Sequence, residues 1–258
     1  IFCLNGEWAV LMCLFWTFWH KAKLVVGGFS GPGWTDRLNL FFHPDAFVAL
    51  TDFQKNWAQK NSIGVRVEKI PNGVDVLVFN PDVKPIKTNL PRPIFLCVAA
   101  FEKNKGIEKT IRAVAAAQKG SLLLIGLGSL ENELSKLGRN LLPGRFKIEK
   151  VFEKRSSYYA ACDVFTMTPI SAESFGMVYL EAMAVGKPVV ATDDAIRREI
   201  IEEAGLFVNP DNTREYTNAL QLALEKNWGD KPRIQARKFS WEEVAKKYDQ
   251  LFHNLTGL

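Results

Sequence analysis

Short apolar runs alternate with amphipathic segments along this chain, and the alternation is most regular after residue 93. The runs are typical of strands that lie buried on both faces of a parallel sheet, and the segments between them carry apolar residues at helical spacing. The predicted strands of this part are 94–100, 122–125, 146–151, 164–167, 189–191 and 206–208. Strands that alternate with helices predict a doubly wound α/β domain with a parallel sheet.

The first ninety residues follow a less regular pattern. Residues 23–28 and 46–50 predict two short strands, and Thr51 is placed to cap a helix that runs to about Asn61. Residues 8–19 are apolar almost throughout, but twelve residues are too few to span a bilayer. We expect this run to be a helix buried in a domain, and contact with a membrane surface is the alternative.

Five prolines between Pro71 and Pro93 interrupt the pattern and predict a boundary between two domains. Ser240 and Glu243 form a capping box for a last amphipathic helix, which we expect to pack back towards the N-terminal domain. The predicted division is a partial N-terminal, acceptor-side domain at 1–75, a linker at 76–92, a donor-binding domain at 93–238 and the C-terminal helix at 239–258.

Composition narrows the classes of function. The chain has 33 basic and 28 acidic side chains, a net charge of +5 spread over both halves, which argues against nucleic-acid binding. Its four cysteines are far apart, which indicates reduced thiols in a cytoplasmic protein. The sequence has no Asp-x-Asp pair, and its three histidines lie away from the stretch described next. We therefore expect no metal and no other cofactor.

The stretch with the densest candidate chemistry runs from Glu173 to Thr192. Glu173 stands in a loop, and Glu181 stands inside an apolar helix that is expected between about Phe175 and Val185. A carboxylate in such a helix is costly unless it has a partner. That partner is either a protein group, such as a buried lysine or a backbone N–H, or a bound ligand.

The spacing of this stretch also allows one ligand to be held at two points. Glu173 can accept hydrogen bonds from hydroxyl groups, and the N–H groups of Phe175, Gly176 and Met177 can hold an anion. Eight residues separate the two acids, so Glu181 is expected on nearly the same helix face, where it could accept both hydroxyls of a ribose.

Two further loops are expected at the same edge, because open α/β sheets bind ligands outside the carboxyl ends of their strands. Lys103 and Lys105 precede a helix N-terminus, where backbone N–H groups favour phosphate; a loop with solvated lysines is an equally weighted alternative. Gly126 and Gly128 follow the next strand, but the dinucleotide fingerprint is incomplete, which favours a tight turn and argues against a nucleotide-dependent oxidoreductase.

These residues resemble a known family. The stretch from Glu173 to Thr192 is similar to the Glu-x7-Glu signature of glycosyltransferase family 4, the retaining nucleotide-sugar transferases of GT-B fold. Other stretches agree in order and spacing: 70–75 with Phe79, 105–106, 125–128, 159–164, 198–200 and 239–241. The resemblance implies an α/β fold of GT-B type, with a complete C-terminal Rossmann-like domain and a partial N-terminal one, in an N-terminally truncated chain.

The resemblance also implies a role for each matching residue. Glu173 would be the catalytic residue, near the reacting face of the donor sugar, and Glu181 would bind the ribose. The residues implied in donor binding are Lys105, Gly106, Phe175, Gly176, Met177 and Glu181. Secondary candidates for donor binding are Lys103, Gly128 and Val151.

The implied activity is transfer of a hexose from a UDP- or GDP-sugar to a glycan or lipid-linked acceptor, with retention of configuration and without a metal. The resemblance further implies a role in polysaccharide or cell-envelope biosynthesis. It also implies a cytoplasmic location, with peripheral contact with the inner face of the membrane. The alternative is a truncated or degenerate nucleotide-sugar-binding module that transfers nothing. Ala99 and Ala100 replace the usual Gly-Arg pair, so either phosphate affinity is lower or Lys103 substitutes.

Overall fold

The computed structural model describes residues 1–4, 6–151, 153–170 and 173–257. The chain divides into two units, each with its own parallel sheet. The first comprises Ile1–Gly73, Glu173–Phe175 and Phe239–Leu258, and the second comprises Val74–Ala172 and Gly176–Lys238. The parallel α/β class expected from the sequence is confirmed.

Elements are numbered in chain order. The strands are β1 (Phe2–Cys3), β2 (Val25–Gly27), β3 (Ala46–Ala49), β4 (Arg66–Lys69), β5 (Ile94–Val98), β6 (Ser121–Ile125), β7 (Phe146–Glu149), β8 (Val164–Met167), β9 (Val189–Thr192) and β10 (Gly205–Val208). The helices are α1 (Glu7–His20), α2 (Trp34–Phe41), α3 (Asp52–Lys60), α4 (Ile107–Ala116), α5 (Glu131–Leu141), α6 (Arg155–Ala161), α7 (Met177–Ala184), α8 (Ala195–Ile201), α9 (Thr213–Glu225), α10 (Lys231–Arg237) and α11 (Trp241–Thr256).

The sheet of the first unit has the strand order β1-β2-β3-β4, and helices cover both of its faces. Successive residues of β3 point to opposite faces: Phe47 belongs to a buried cluster with Val10 of α1, and Val48 to a cluster with Val244 and Leu251 of α11. Therefore α11, at the end of the sequence, supplies the second layer of the first unit.

The helix expected at residues 8–19 is present as α1, but the prediction that it is buried is wrong. Trp8 is 80% exposed, Phe18 82% and Trp19 69%, whereas Val10 and Thr17 are buried. The helix is apolar on all sides, and a helix in an outer layer can bury only the face that meets the sheet. The aromatic side chains of α1 therefore lie on the surface of the described first unit.

The second unit contains a six-stranded sheet in the order β10-β9-β8-β5-β6-β7. This is the doubly wound arrangement: strands β5 to β7 follow one another in one direction across the sheet, and β8 to β10 follow in the other, so the strand order reverses between the parallel neighbours β5 and β8. All five residues of β5 are buried and apolar. The four residues of β8 are also buried, and Thr166 is the polar one among them. The loops after β5 and β8 therefore flank the switch point, where such sheets bind ligands.

Candidate functional site

The carboxylate of Glu181 lies on α7 and is buried, with 6% of the residue exposed. Its Oε2 accepts a hydrogen bond from the Tyr159 hydroxyl at 2.5 Å, and its Oε1 lies 3.2 Å from the Arg155 guanidinium. Arg155 and Tyr159 are four residues apart on α6 and so share one face of that helix. A carboxylate has about four lone-pair positions, so these two contacts leave about one on each oxygen.

Opposing effects act on the charge of this carboxylate. Burial raises the pKa of Glu181, whereas the Tyr159 hydroxyl and the Arg155 guanidinium lower it, and the balance keeps the pKa above its ordinary value. Burial, followed by the nearby Glu181 charge, raises the pKa of Tyr159 well above its ordinary value, so that its hydroxyl remains a donor. The protein partners of Glu181 are thus a tyrosine and an arginine, where the sequence suggested a lysine or a backbone N–H.

A cavity of about 470 Å³ opens at the carboxyl ends of β5 and β6. Its volume falls in the range of small-molecule sites. Among the described residues that line it, Arg155 is the only charged one. The other lining residues include Ala99, Ala100, Gly126, Leu127, Val151 and Val178. The cavity thus brings together three features. They are Val151, which is a secondary candidate for donor binding, the two alanines that depart from the family pattern, and the arginine that contacts Glu181.

Gly126 and Gly128 permit a close approach between two loops. A Cβ on Gly126 would lie 1.9 Å from the Ala99 carbonyl oxygen, and one on Gly128 would lie 2.7 Å from the Phe101 nitrogen. The Phe101 N–H in turn donates to the Leu127 carbonyl at 2.8 Å. The tight-turn interpretation is therefore sufficient for both glycines, and a donor-binding role for Gly128 stays a prediction.

The loop that carries Lys103 and Lys105 forms a short 3₁₀ turn, followed by Gly106 in the left-handed region at φ 66°. A Cβ on Gly106 would lie 2.3 Å from the Thr168 carbonyl oxygen, so the glycine lets this loop pack against the chain after β8. Lys103 lines a different cavity, of about 480 Å³, between α4 and α5. The phosphate-binding roles of Lys103, Lys105 and Gly106 stay predictions.

The segment before α7 belongs to the first unit. Phe175 is buried, and its ring lies edge-on to the Phe239 ring at 6.1 Å between centroids. A Cβ on Gly31 would lie 3.2 Å from the Cβ of Ser174. Glu173 begins this segment, and its catalytic role stays a prediction.

The helix of the central stretch begins later than predicted. Gly176 has φ 92° and precedes α7, which starts at Met177, so Phe175 and Glu173 lie outside the helix. The expectation that Glu173 and Glu181 share a helix face is therefore wrong, because a left-handed glycine separates them. The end of the helix was predicted correctly, since Gly186 follows Val185 with φ 82°.

Three further observations concern the described residues alone. No group of three or more His, Cys, Asp or Glu side chains among them could hold a metal ion. None of their helices has both the length and the apolar character needed to cross a bilayer. All four cysteines are free thiols, and Cys13 alone of the four is partly exposed.

Residues 79–247 match the protein family described as glycosyl transferases group 1. The chain belongs to this family. The match includes α6, α7 and the cavity beside them, so the site described above lies within the part of the chain that defines membership.

Two curated members of this family are similar in sequence. The phosphatidyl-myo-inositol mannosyltransferase of Mycolicibacterium smegmatis is 29% identical over 225 residues, which cover 81% of this chain and 57% of the relative. The GDP-mannose-dependent monoacylated alpha-(1-6)-phosphatidylinositol monomannoside mannosyltransferase of Corynebacterium glutamicum is 27% identical over 178 residues, 61% of this chain and 47% of the relative. The chain thus spans about half the length of these relatives.

Two solved structures share the fold. Anabaena HepE in complex with UDP has a TM-score of 0.80 at 19% identity, covering 99% of this chain and 79% of that one. Sucrose-phosphate synthase from Thermosynechococcus elongatus has a TM-score of 0.79 at 23% identity, covering 99% and 74%. At these identities the similarity shows the fold alone, and the α/β fold of GT-B type expected from the resemblance is confirmed.

Sequence reasoning did not assign Tyr159 or Arg155, the two partners of Glu181, to the candidate site. A signal was present, because Arg155 and Tyr159 are four residues apart at the start of the helix that follows β7, at the ligand-binding edge of the sheet. The sequence does not show that α6 packs against α7, and that packing places Arg155 beside Glu181.

Proposed function

We propose that this chain is the donor-binding part of a family 4 glycosyltransferase that moves a hexose from a nucleotide-diphosphate sugar to an acceptor with retention of configuration. The observation that carries the proposal is Glu181, a buried carboxylate whose partner Arg155 lines a cavity at the ligand-binding edge. One acceptor position remains on each oxygen, which suits the two neighbouring hydroxyls of a ribose.

The remaining parts of the donor are assigned from the resemblance to glycosyltransferase family 4. Lys105 and Gly106 would bind the pyrophosphate, and the backbone N–H groups of Phe175, Gly176 and Met177 would bind phosphate and sugar. Such fixed cationic and N–H groups stabilise the charge that develops on the leaving diphosphate, so the proposed reaction needs no metal. Glu173 would contact the donor sugar at the reacting carbon.

The relatives suggest which substrates to test first. One is by name GDP-mannose-dependent, and HepE was solved with UDP, so GDP-mannose and UDP-hexoses are the leading donors. Both mannosyltransferases are named for phosphatidylinositol-type lipids, which favours a lipid-linked acceptor and a role in cell-envelope glycolipid synthesis. A glycan acceptor is the second candidate.

Peripheral contact with the inner face of a membrane is part of the proposal. The residues Trp8, Met12, Phe15 and Trp19 of α1 form an exposed apolar stripe, and each is at least 65% exposed in the described structure. Lys21 follows at the end of the helix and is also exposed. Aromatic side chains beside a cationic end are the composition of helices that lie in the headgroup region of a bilayer.

Isothermal titration with UDP, GDP and NAD tests the nucleotide specificity. We expect binding of UDP or GDP and none of NAD. Glu181→Gln should weaken nucleotide binding by about 1–3 kcal/mol, because one hydrogen bond to a charged group is lost. Selective binding of NAD, or unchanged affinity in Glu181→Gln, would contradict the proposal.

Transfer is tested separately with the full-length protein that contains this chain. Glu173→Ala should leave nucleotide binding intact and abolish product formation from GDP-mannose or a UDP-hexose. Nucleotide binding without any transfer by the unmutated full-length protein would favour the alternative, a nucleotide-sugar-binding module.

A further inference from the structure

We propose that Tyr159 and Arg155 are positioning residues that keep the Glu181 carboxylate ionised and oriented for the donor ribose. The inference rests on the proposed function, because it concerns the residue assigned to the ribose. It goes further by assigning two α6 side chains that hold this residue in its working state.

Tyr159 provides the rigid half of this arrangement. It is fully buried, and its ring packs against Phe165 at 5.6 Å and Phe79 at 5.7 Å between centroids. The hydroxyl therefore has a fixed position, and its 2.5 Å bond to Glu181 has the length of a charge-assisted O–H···O⁻ bond. This contact fixes the direction in which the second lone pair of Oε2 points.

Arg155 provides the charged half. Its side chain is 39% exposed and lines the cavity, whereas Tyr159 is fully buried. At 3.2 Å from Oε1 it stabilises the negative charge in surroundings that otherwise oppose it, because the carboxylate is buried. The donor would enter the cavity that Arg155 lines and meet a carboxylate that is already ionised.

The elements packed against α7 are α6, α8, α10 and β9. In the described chain, the groups that shift the pKa of Glu181 are Tyr159 and Arg155, and both come from α6. On α8 and α10, Arg197 pairs with Asp194, Arg198 with Asp193 and Lys231 with Glu203. The other charged side chains of these two helices, Glu199, Arg233 and Arg237, are not among the groups that shift the pKa of Glu181. The charge state of Glu181 therefore depends on two side chains that can be changed one at a time.

The test is the pH dependence of nucleotide affinity, measured by titration calorimetry with UDP or GDP from about pH 5.5 to about pH 8.5. The measured quantity is the Kd of each variant divided by the wild-type Kd at the same pH. This ratio removes the pH effects that the variant and the wild type share, and Tyr159→Phe changes no charged side chain. For Tyr159→Phe and Arg155→Met we expect the ratio to rise about tenfold towards acid pH, because each change removes a group that lowers the pKa of Glu181 and so favours the ionised carboxylate. Arg155→Lys should restore most of the wild-type profile.

Matched controls remove the same groups elsewhere in the second unit. Tyr179→Phe removes a buried hydroxyl that donates to the Met167 carbonyl, and Arg112→Met removes an exposed guanidinium that pairs with Glu108. Both controls should keep a ratio that does not change with pH. In a Glu181→Gln background, Tyr159→Phe should add no pH dependence, because the titrating group is gone.

The outcomes separate this inference from the proposed function. A ratio above one that is constant with pH would show a direct or merely structural contribution and would overturn the inference, as would a ratio of one throughout. If Tyr159→Phe does not fold, Arg155→Met decides alone, because that side chain is partly exposed. Failure of the wild-type chain to bind either nucleotide would overturn the proposed function itself, and the inference with it.

Discussion

Two buried carboxylates, Glu181 and Asp36, make the stability of this protein depend on pH. Glu181 and Asp36 both have pKa values raised by burial, so the folded chain binds a proton at each more tightly than the unfolded chain does. The free energy of unfolding must therefore fall as pH rises above the ordinary carboxyl pKa. Each residue makes a separate prediction about stability.

Glu181→Gln should be at least as stable as the wild type above neutral pH, although it should bind nucleotide less tightly. The amide carries no charge to desolvate, and its oxygen can still accept the hydrogen bond from Tyr159. Urea unfolding of both proteins at about pH 8 checks this. A loss of more than about 1 kcal/mol in the variant would show that the carboxylate is a net stabilising group.

Asp36→Asn addresses a carboxylate in the first unit. Asp36 is fully buried, its Oδ2 accepts from Gln54 Nε2 at 2.8 Å, and its Oδ1 has no partner within the described structure. Burial raises the pKa of Asp36 to about 6. The wild type should therefore lose about 3 kcal/mol of unfolding free energy between about pH 4 and about pH 7, and the asparagine variant should not.

Urea unfolding across this pH range measures the difference between the two chains, and Asp82→Asn, at an exposed position, is the control. The advantage of Asp36→Asn over the wild type should grow with pH, whereas the control should follow the wild type. Parallel curves for Asp36→Asn and the wild type would mean that Asp36 ionises at an ordinary pKa in the folded protein.

At this scale the sequence predicted the acid but not its partners. Glu181 was identifiable because a carboxylate in an apolar helix is costly to bury unless it has a partner. Arg155 was not, because its contact with Glu181 depends on how α6 packs against α7. Spacing describes neighbours on one helix and contains no information about neighbours on another.

Two left-handed glycines of the second unit should respond differently to substitution. Gly106 and Gly144 have similar left-handed conformations, at φ 66° and 70°, but a Cβ on Gly106 would meet the Thr168 carbonyl at 2.3 Å and one on Gly144 would meet nothing within 4 Å. Gly144→Ala should lose about 1–2 kcal/mol from strain alone. Gly106→Ala should lose about 1–3 kcal/mol more, from the steric conflict.

Chemical denaturation of the two alanine variants checks this comparison. The difference between them isolates the close approach of the loop to the chain after β8. Equal losses would indicate that the backbone at Gly106 relaxes away from Thr168 without difficulty, and the contact would then contribute little to the order of the edge.

Among the elements, the buried strands were the most predictable. Every strand of the second sheet was expected within a few residues. Short apolar runs mark these strands except β7, in which Phe146 and Ile148 alternate with polar residues. The four-residue strand β4 was missed, since this edge strand, Arg66–Lys69, has three polar residues and one buried valine. The helix α2 was missed because it follows a glycine-rich loop and lacks an apolar stripe. The start of α7 was placed too early, because nothing in the sequence shows that Gly176 is left-handed.

The surface of α1 gives a prediction for the whole protein. Co-sedimentation with lipid vesicles should show binding that is stronger when phosphatidylglycerol accompanies phosphatidylcholine, because Lys21 adds attraction to anionic lipid. The triple substitution Trp8→Ser, Phe15→Ser and Trp19→Ser should reduce vesicle binding about tenfold or more, since each aromatic side chain buried in lipid contributes about 1.5–3 kcal/mol.

The matched control is Ile63→Ser with Leu77→Ser, two exposed apolar residues outside α1. This control should bind vesicles as the wild type does. Unchanged binding by the triple variant would contradict the membrane assignment. Self-association of the wild type that the triple variant loses would assign the surface to a second copy of the chain.

For the whole molecule, alternation of strands and helices was enough to predict parallel α/β architecture. The order of strands was not predictable from the pattern, because hydrogen-bonded neighbours such as β5 and β8 are far apart in sequence. The exposure of α1 was not predictable either, because an apolar sequence does not show how many faces of the helix pack against other elements.

The position of α11 affects how the first unit can fold during synthesis on the ribosome. Val48, in the N-terminal part of the sequence, is packed in one buried cluster with Val244 and Leu251 near the C-terminus. All the residues of the second unit are therefore synthesised before the first unit receives its last layer. The unit whose synthesis starts first is thus the last to be finished, and until then its sheet has an uncovered apolar face that a chaperone could shield.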